Sequence, residues 1–403
     1  MKILQVNCVY KTGSTGKITA DIHSDLQQRG FESIVCYGRG EKVQEPCVYK
    51  TCAELYSKAN NLFSRVTGLM YAGCFFSTNR LFSIIKKERP DVVHLQCING
   101  YFVNIYRLIN WLKKHRIKTV VTLHAEFMYT GNCGHAFECD KWRHGCGQCP
   151  RKKKETKSLL LDGTARSWKK MHAAFAGFEQ DCAVTAVSPW LMERAKQSPI
   201  LEKLSHRTVL NGLDTKVFKF TEAKGLRKQY GIGEKKLVLH VTPSFSLDPD
   251  HIKGGWYVIQ LAQRMPETVF AVVGSREQML ELPDNVINVG RLEDQRTLAE
   301  WYSAADVTLL PSKRETFSMV TAESLCCGTP VVGFRCGGPE TIAMEEYCSF
   351  GTYGDLAFLE ERIKNLPPAT KEKISEEARR KYAKKAMCDG YVEVYRGLLC
   401  EKE

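Results

Sequence analysis

The sequence predicts an α/β chain made of two doubly wound parallel sheets. Three observations carry this. Short β-branched apolar runs alternate with helical stretches, the alternation starts afresh near Leu237, and 403 residues suit two domains better than one. In the first series, strands are expected at Ile3–Val6, Ser33–Tyr37, Val92–Leu95, Thr119–Leu123 and Ala183–Val187, with helices such as Thr19–Arg29 and Ile105–His115 between them. The second series runs Leu237–Val241, Val269–Val273, Val286–Val289, Val307–Leu310 and Val331–Phe334. Their junction falls in Thr208–Phe220 (TVLNGLDTKVFKF), where a strand, an Asn-Gly turn and a polar linker meet. The expected division is residues 1–207, residues 208–381 and a terminal helix over 382–403. Two such sheets make two Rossmann-like domains with a cleft between them.

Composition narrows the class. A hydrophobic content of 43% excludes a disordered chain, and no segment approaches the roughly 20 apolar residues of a membrane-spanning helix. The start, MKILQVNCVYKTG, is too short an apolar run for a signal peptide and reads as the first strand. A cytosolic location is expected, with the 17 cysteines mostly reduced and their odd count arguing against a full disulfide framework. Charge is uneven: residues 1–200 hold 30 Lys and Arg against 16 Asp and Glu, while residues 201–403 hold 28 against 29. An excess confined to one half suggests an anionic partner, either phospholipid headgroups or nucleic acid. The stretch Leu62 to Ile85 mixes aromatic and aliphatic residues with few charges; it reads either as a membrane-surface contact or as a core helix.

The most informative segment is Arg314 to Glu340, RETFSMVTAESLCCGTPVVGFRCGGPE. Glu315 and Glu323 sit eight positions apart across a turn that opens a helix, just after the strand-like run DVTLLP. The carboxyl ends of parallel strands are where open α/β sheets bind ligands, and the free amides of a helix start favour an anion such as a diphosphate. One acid before the helix and one about two turns inside it would grip hydroxyls on either side of that group. That is the layout of a nucleotide-sugar site.

The order of strand, acid, helix, Gly-Thr-Pro, strand and Gly-Gly-Pro-Glu resembles the donor-site signature of family 4 retaining glycosyltransferases. The resemblance implies the GT-B fold: two Rossmann-like domains facing each other across a cleft, with the C-terminal helix crossing back to the first. It assigns Glu323 to the nucleotide ribose, Glu315 to the sugar, and the backbone of Phe317, Ser318 and Met319 to the phosphates. Glu340 is a further hydroxyl ligand and Arg291 lines the nucleotide pocket. Lys253, in His-Ile-Lys-Gly-Gly, would neutralise the leaving diphosphate, since breaking a sugar–phosphate bond builds negative charge. Many members also carry an Arg after the preceding strand; here Val241-Thr242-Pro243-Ser244 stands in its place. His124 matches the histidine near donor sugar and acceptor, but Ala125 replaces the Asp that commonly follows, so that acid's role is either lost or moved to Glu126. His94 ends a strand in the same manner and ranks second. The Gly-rich turn Lys11 to Lys17, including Gly16, would face the cleft, and Asn211-Gly212-Leu213-Asp214 matches a junction element of the family.

Cys133, Cys139, Cys146 and Cys149, with His135 and His144 interleaved, read as a structural zinc site or as buried free thiols. A similar Cys-bearing insertion recurs in the bacterial capsule, exopolysaccharide and O-antigen branch of the family. No Asp-x-Asp signature lies within Arg314–Glu340, so no cofactor is expected for catalysis. The resulting expectation is a transferase using a UDP- or GDP-sugar and a saccharide or lipid-linked saccharide acceptor. It would be peripheral on the inner membrane face and would bind no nucleic acid. The alternatives are a GT-B nucleotide-sugar epimerase and a basic nucleic-acid-binding protein with a zinc knuckle; the latter leaves the neutral second half unexplained.

Overall fold

The computed structural model describes residues 1–276 and 281–400; residues 401–403 of the expected terminal helix lie outside them. The chain divides into two compact units, one of residues 1–210 joined by the chain from Met387 onward, the other Asn211–Ala386.

The first unit is built on β1 (Lys2–Asn7), β2 (Glu32–Tyr37), β3 (Val48–Lys50), β4 (Val92–Leu95), β5 (Lys118–Leu123), β6 (Cys182–Ala186) and β7 (Ser205–Thr208). They form one parallel sheet in the order β3-β2-β1-β4-β5-β6-β7. Its central strands are buried along their whole length, as a sheet covered by helices on both faces requires. The helix Lys384–Cys400 supplies part of that cover: Met387, Tyr391, Tyr395 and Leu398 pack with Ile3, Val92, Val120 and Ala183. Under it runs a buried polar stripe. His94 Nδ1 lies 2.7 Å from Tyr395 Oη and Nε2 lies 2.6 Å from Thr122 Oγ1, which in turn meets Thr185 Oγ1 at 2.6 Å. Each polar atom of that stripe is thereby satisfied within the core.

The second unit carries β8 (Leu237–Phe245), β9 (Val269–Arg276), β10 (Val286–Gly290), β11 (Val307–Leu310), β12 (Val331–Phe334) and β13 (Cys348–Gly351), all parallel, in the order β10-β9-β8-β11-β12-β13. Its core joins Val238, Phe270, Leu309 and Val332 to the helices Gly255–Arg264 and Leu356–Lys364. Strand order reverses between β8 and β11 here, and between β1 and β4 in the first unit. Such switch points leave a crevice at the carboxyl ends of the strands.

Three strands escaped the sequence reading: β3, β7 and β13. Each lies at a sheet edge and is only three or four residues long. Half-exposed edges of that length carry no apolar run to reveal them. β8 runs on past Thr242 through a register shift that contains Pro243, which has no N–H to give the ladder. The Leu62–Ile85 stretch divides. Met70, Tyr71, Leu81, Phe82 and Ile85 are core, whereas Leu62, Phe63, Val66, Phe75 and Phe76 face solvent. Among the described residues no helix is long and apolar enough to cross a membrane.

Candidate active site

The loops after β8 and β11 flank the switch point of the second sheet, and their two charged groups meet there. Lys253 Nζ lies 2.6 Å from Glu315 Oε1, with the side chains 27% and 16% exposed. The loop holding Lys253 is pinned on both sides. Lys313 N–H donates to the Ile252 carbonyl at 2.8 Å. Gly254 adopts φ +69°, and a Cβ there would stand 2.2 Å from the Pro311 carbonyl oxygen. Only glycine fits that backbone and that approach.

Glu315 is fixed through its main chain. Its N–H donates to the Cys336 carbonyl at 3.0 Å, and its carbonyl accepts from Gly338 N–H at 2.8 Å. Gly338 is needed for the approach, because a Cβ would stand 2.3 Å from the Thr316 carbonyl oxygen. The Gly-Gly-Pro-Glu turn is held by its own acid: Glu340 accepts from Cys336 N–H at 3.1 Å and from Gly337 N–H at 2.9 Å. Glu340 therefore shapes the turn behind Glu315, and its carboxylate is already engaged by backbone.

The helix Met319–Cys326 opens directly after these residues. Ser318, at φ +75°, caps it by accepting from Thr321 N–H at 3.1 Å, and Phe317 is buried beneath. The amides of Met319 and Val320, the first two residues of the helix, have no intrahelical acceptor. Glu323 lies four residues past Met319, just over one turn into the helix rather than the two expected. Its Oε2 accepts from Tyr302 Oη at 3.0 Å. Tyr302 is buried, and burial followed by the neighbouring carboxylate holds its hydroxyl protonated well above the usual range. Nothing in the sequence pointed to Tyr302, because its partner lies on a different helix.

Arg291 is not brought to this cluster. It follows β10, the edge strand, is 75% exposed and stands 3.9 Å from Glu293. β9 and β8 separate it from β11, a span of roughly 14 Å at about 4.8 Å per strand. His240, in β8, also went unnamed in the sequence reading; burial pushes it down to about 4, so it is neutral, with Nδ1 3.2 Å from the Leu309 carbonyl.

In the first unit His124 follows β5, with Nε2 3.4 Å from Gln96 Oε1, and burial pushes it down to about 4. His94 is fully buried, pushed down to about 3 by burial and then by His124, and spent in the polar stripe. Glu126 does not stand in for the missing Asp. It is buried, pairs with Arg194 Nε at 2.6 Å, and accepts from Tyr129 Oη at 2.9 Å and Ala136 N–H at 2.7 Å. Its carboxylate ties the Cys-rich segment to the helix Pro189–Lys196. Gly16 sits in the first turn of the helix Gly13–Gln28, where a Cβ would press on Val9 and the Lys11 amide.

Cys133, Cys139, Cys146 and Cys149 line one cavity of about 20 Å³ with Trp142 and Thr164. All are free thiols. Gly131 N–H donates to Cys146 Sγ at 3.1 Å, and burial pushes that thiol up to about 12. As they stand, no three His, Cys, Asp or Glu side chains among the described residues are gathered closely enough to grip a metal ion.

Two parallel-sheet Rossmann-like units define the fold as GT-B, and the solved structures agree. Sucrose-phosphate synthase from Thermosynechococcus elongatus superposes with a TM-score of 0.68 at 16% identity over 100% of both chains. HepE from Anabaena, solved in complex with UDP, superposes with a TM-score of 0.65 at 15% identity over 98% of this chain and 100% of that one. Sequence similarity is more local. Residues 252–366, which hold Lys253, Arg291, Glu315, Glu323 and Glu340, match the family model described as glycosyl transferases group 1. N-acetyl-alpha-D-glucosaminyl L-malate synthase from Bacillus anthracis is 31% identical over 180 residues, 41% of this chain and 45% of that protein. A D-inositol 3-phosphate glycosyltransferase from Xylanimonas cellulosilytica is 34% identical over 108 residues, 24% and 26% of the two chains. The chain thus spans less than half the length of these relatives. It is similar to group 1 glycosyltransferases, and the names of these relatives do not single out the surface-polysaccharide branch.

Proposed function

We propose that the protein is a retaining glycosyltransferase that moves a sugar from a UDP- or GDP-sugar to an acceptor hydroxyl. The observation that carries this is the Lys253–Glu315 pair at the switch point, next to the open amides of Met319 and Val320. In this reading the donor diphosphate sits at the helix tip and takes Lys253 as its counter-ion. Glu323, oriented by Tyr302, accepts from the ribose hydroxyls, and Glu315 accepts from the sugar. The bond between the anomeric carbon and the diphosphate oxygen breaks, and its electron pair leaves with the diphosphate, where Lys253 offsets the growing charge. The acceptor oxygen bonds the same carbon from the same face, and its proton passes to the departing phosphate oxygen. His124, neutral at pH 7, orients the sugar or acceptor by hydrogen bonding.

The match over residues 252–366 supports this reading, as does the structural likeness to HepE, a protein also solved in complex with UDP-glucose. The acceptor is read as a lipid-linked saccharide of surface-polysaccharide assembly at the cytoplasmic membrane face, supported by the basic first half. Catalysis is read as metal-independent, and Cys133, Cys139, Cys146 and Cys149 are the thiols that would hold a structural zinc. The test is a panel of nucleotide sugars read by thermal stabilisation and by product formation. Stabilisation by a UDP- or GDP-sugar with transfer to a saccharide acceptor is the expected result. Stabilisation with donor isomerised or hydrolysed and no transfer would overturn it in favour of an epimerase.

A further inference from the structure

Exposed apolar side chains on this protein are gathered on one surface. Of the ten large hydrophobic residues exposed among the described residues, nine belong to three neighbouring segments of the first unit. These are the helix Glu54–Thr67, the start of the helix Phe75–Glu88, and the run Leu159–Leu161. Direct contacts hold the three together. Leu159 N–H donates to the Arg65 carbonyl at 2.8 Å, and Gly68 lies so close to the Leu161 carbonyl that a Cβ would come within 2.3 Å of it. Tyr56 Oη accepts from Phe76 N–H at 3.3 Å, and the two rings lie 5.8 Å apart.

The helix Glu54–Thr67 is inverted. It buries Ser57 and Ser64 and presents Leu55, Leu62, Phe63 and Val66 outward. A surface helix whose only task is to cover a core does the opposite. Phe76 is 77% exposed and Leu160 is 68% exposed, and a contiguous exposed apolar patch of this kind marks an interaction site. Its charge says what. Residues 54–80 and 151–162 hold eight Lys and Arg against three Asp and Glu. Those acids are engaged locally: Glu54 with Arg39, Glu155 with Arg151, and Asp162 with Thr164 and the Cys149 amide. Lys58, Arg80, Lys153, Lys154 and Lys157 remain exposed. A second copy of the chain would bring like charge against like charge, whereas an anionic bilayer offers both apolar depth and opposite sign.

We infer that this surface docks the protein onto an anionic phospholipid bilayer, with Leu62, Phe63, Phe76 and Leu159–Leu161 entering the headgroup boundary and the surrounding lysines meeting lipid phosphates. This deepens the membrane-side acceptor reading above but does not depend on the donor site. The full chain is sedimented with vesicles of phosphatidylcholine and phosphatidylglycerol at 3:1, and with phosphatidylcholine alone. A preference for the anionic vesicles of about tenfold or more is expected. The triple variant F63S/F76S/L160S and the charge variant K153E/K154E/K157E should each lose at least tenfold in partitioning while keeping the wild-type melting temperature and donor-induced thermal shift. The docking surface is overturned if wild type ignores anionic vesicles or if the triple variant partitions as wild type does. It is equally overturned if wild type is a dimer that the triple variant dissociates, because a second copy is then the occupant. An absent donor shift would count against the proposed function only.

Discussion

Lys253 and Glu315 meet at 2.6 Å across the point where strand order in the second sheet reverses, one on the loop after β8 and the other on the loop after β11. The cation is held by an acid, and the two loops that carry the pair are pinned by backbone contacts. Removing the cation with Lys253→Ala should therefore leave the loop in place. Turnover should fall about 10²–10³-fold, the range seen when a transition-state charge partner is lost. Donor affinity should change far less, and Lys253→Arg should recover part of the rate. Steady-state kinetics with the donor found in the panel decide it; unchanged turnover would remove Lys253 from the mechanism.

In the proposed function Glu323 binds the donor ribose. A saturating donor at about 100 times its dissociation constant should stabilise the wild type by about 2.7 kcal/mol. Glu323→Ala should abolish that shift. The variant should also melt lower without ligand, since losing the partner of the buried Tyr302 hydroxyl costs about 1–3 kcal/mol. Reading the ligand-induced shift on each variant's own baseline separates the two effects, and a full shift in Glu323→Ala would place the nucleotide elsewhere.

Gly254→Ala tests the pinned loop. The positive φ and the 2.2 Å approach to the Pro311 carbonyl leave a methyl group no room, so the loop must move away from β11. A loss of about 1–3 kcal/mol in unfolding free energy is expected, together with slower turnover. A variant that melts with wild type would show that the approach is not required.

Acid should destabilise the protein through its buried histidines. His94 has a folded value of about 3, well below the roughly 6.5 of an unfolded histidine. The unfolded chain therefore takes up the proton first. The stabilisation is complete above about pH 6.5 and is lost as pH falls from there towards 3, by up to about 1.4 kcal/mol per pH unit for one group. His240 adds in the same direction with a value of about 4. Urea melts between pH 7.5 and 5 should show the decline, and His94→Gln should flatten it; an equal slope in the variant would disprove the assignment.

Metal analysis decides the role of the four-cysteine cavity. One zinc per chain is expected after dialysis, lost on chelation together with a fall in melting temperature. Trace metal only would leave four reduced thiols.

How much of this was legible in sequence follows from the range of each interaction. Val92–Leu95, Val307–Leu310 and Val331–Phe334 were located to the residue, because a strand buried on both faces reads as a short, largely apolar, β-branched run. Glu315 and Glu323 stood out because strand, acid and helix are contiguous in the chain. The engagement of Glu126 was not legible, because nothing in its neighbourhood announces Arg194, which lies 68 positions away.

The sequence by itself determined the alternation of elements, the division into two sheets and the acidic turn before the helix Met319–Cys326, since those depend on residues within a few positions of one another. Tertiary structure alone decided that Lys253 reaches Glu315, that Tyr302 orients Glu323, that His94 is consumed by Tyr395, and that nine apolar side chains share one basic surface. Those relations join chain segments tens to hundreds of residues apart, and only the packing of one element on another sets such distances.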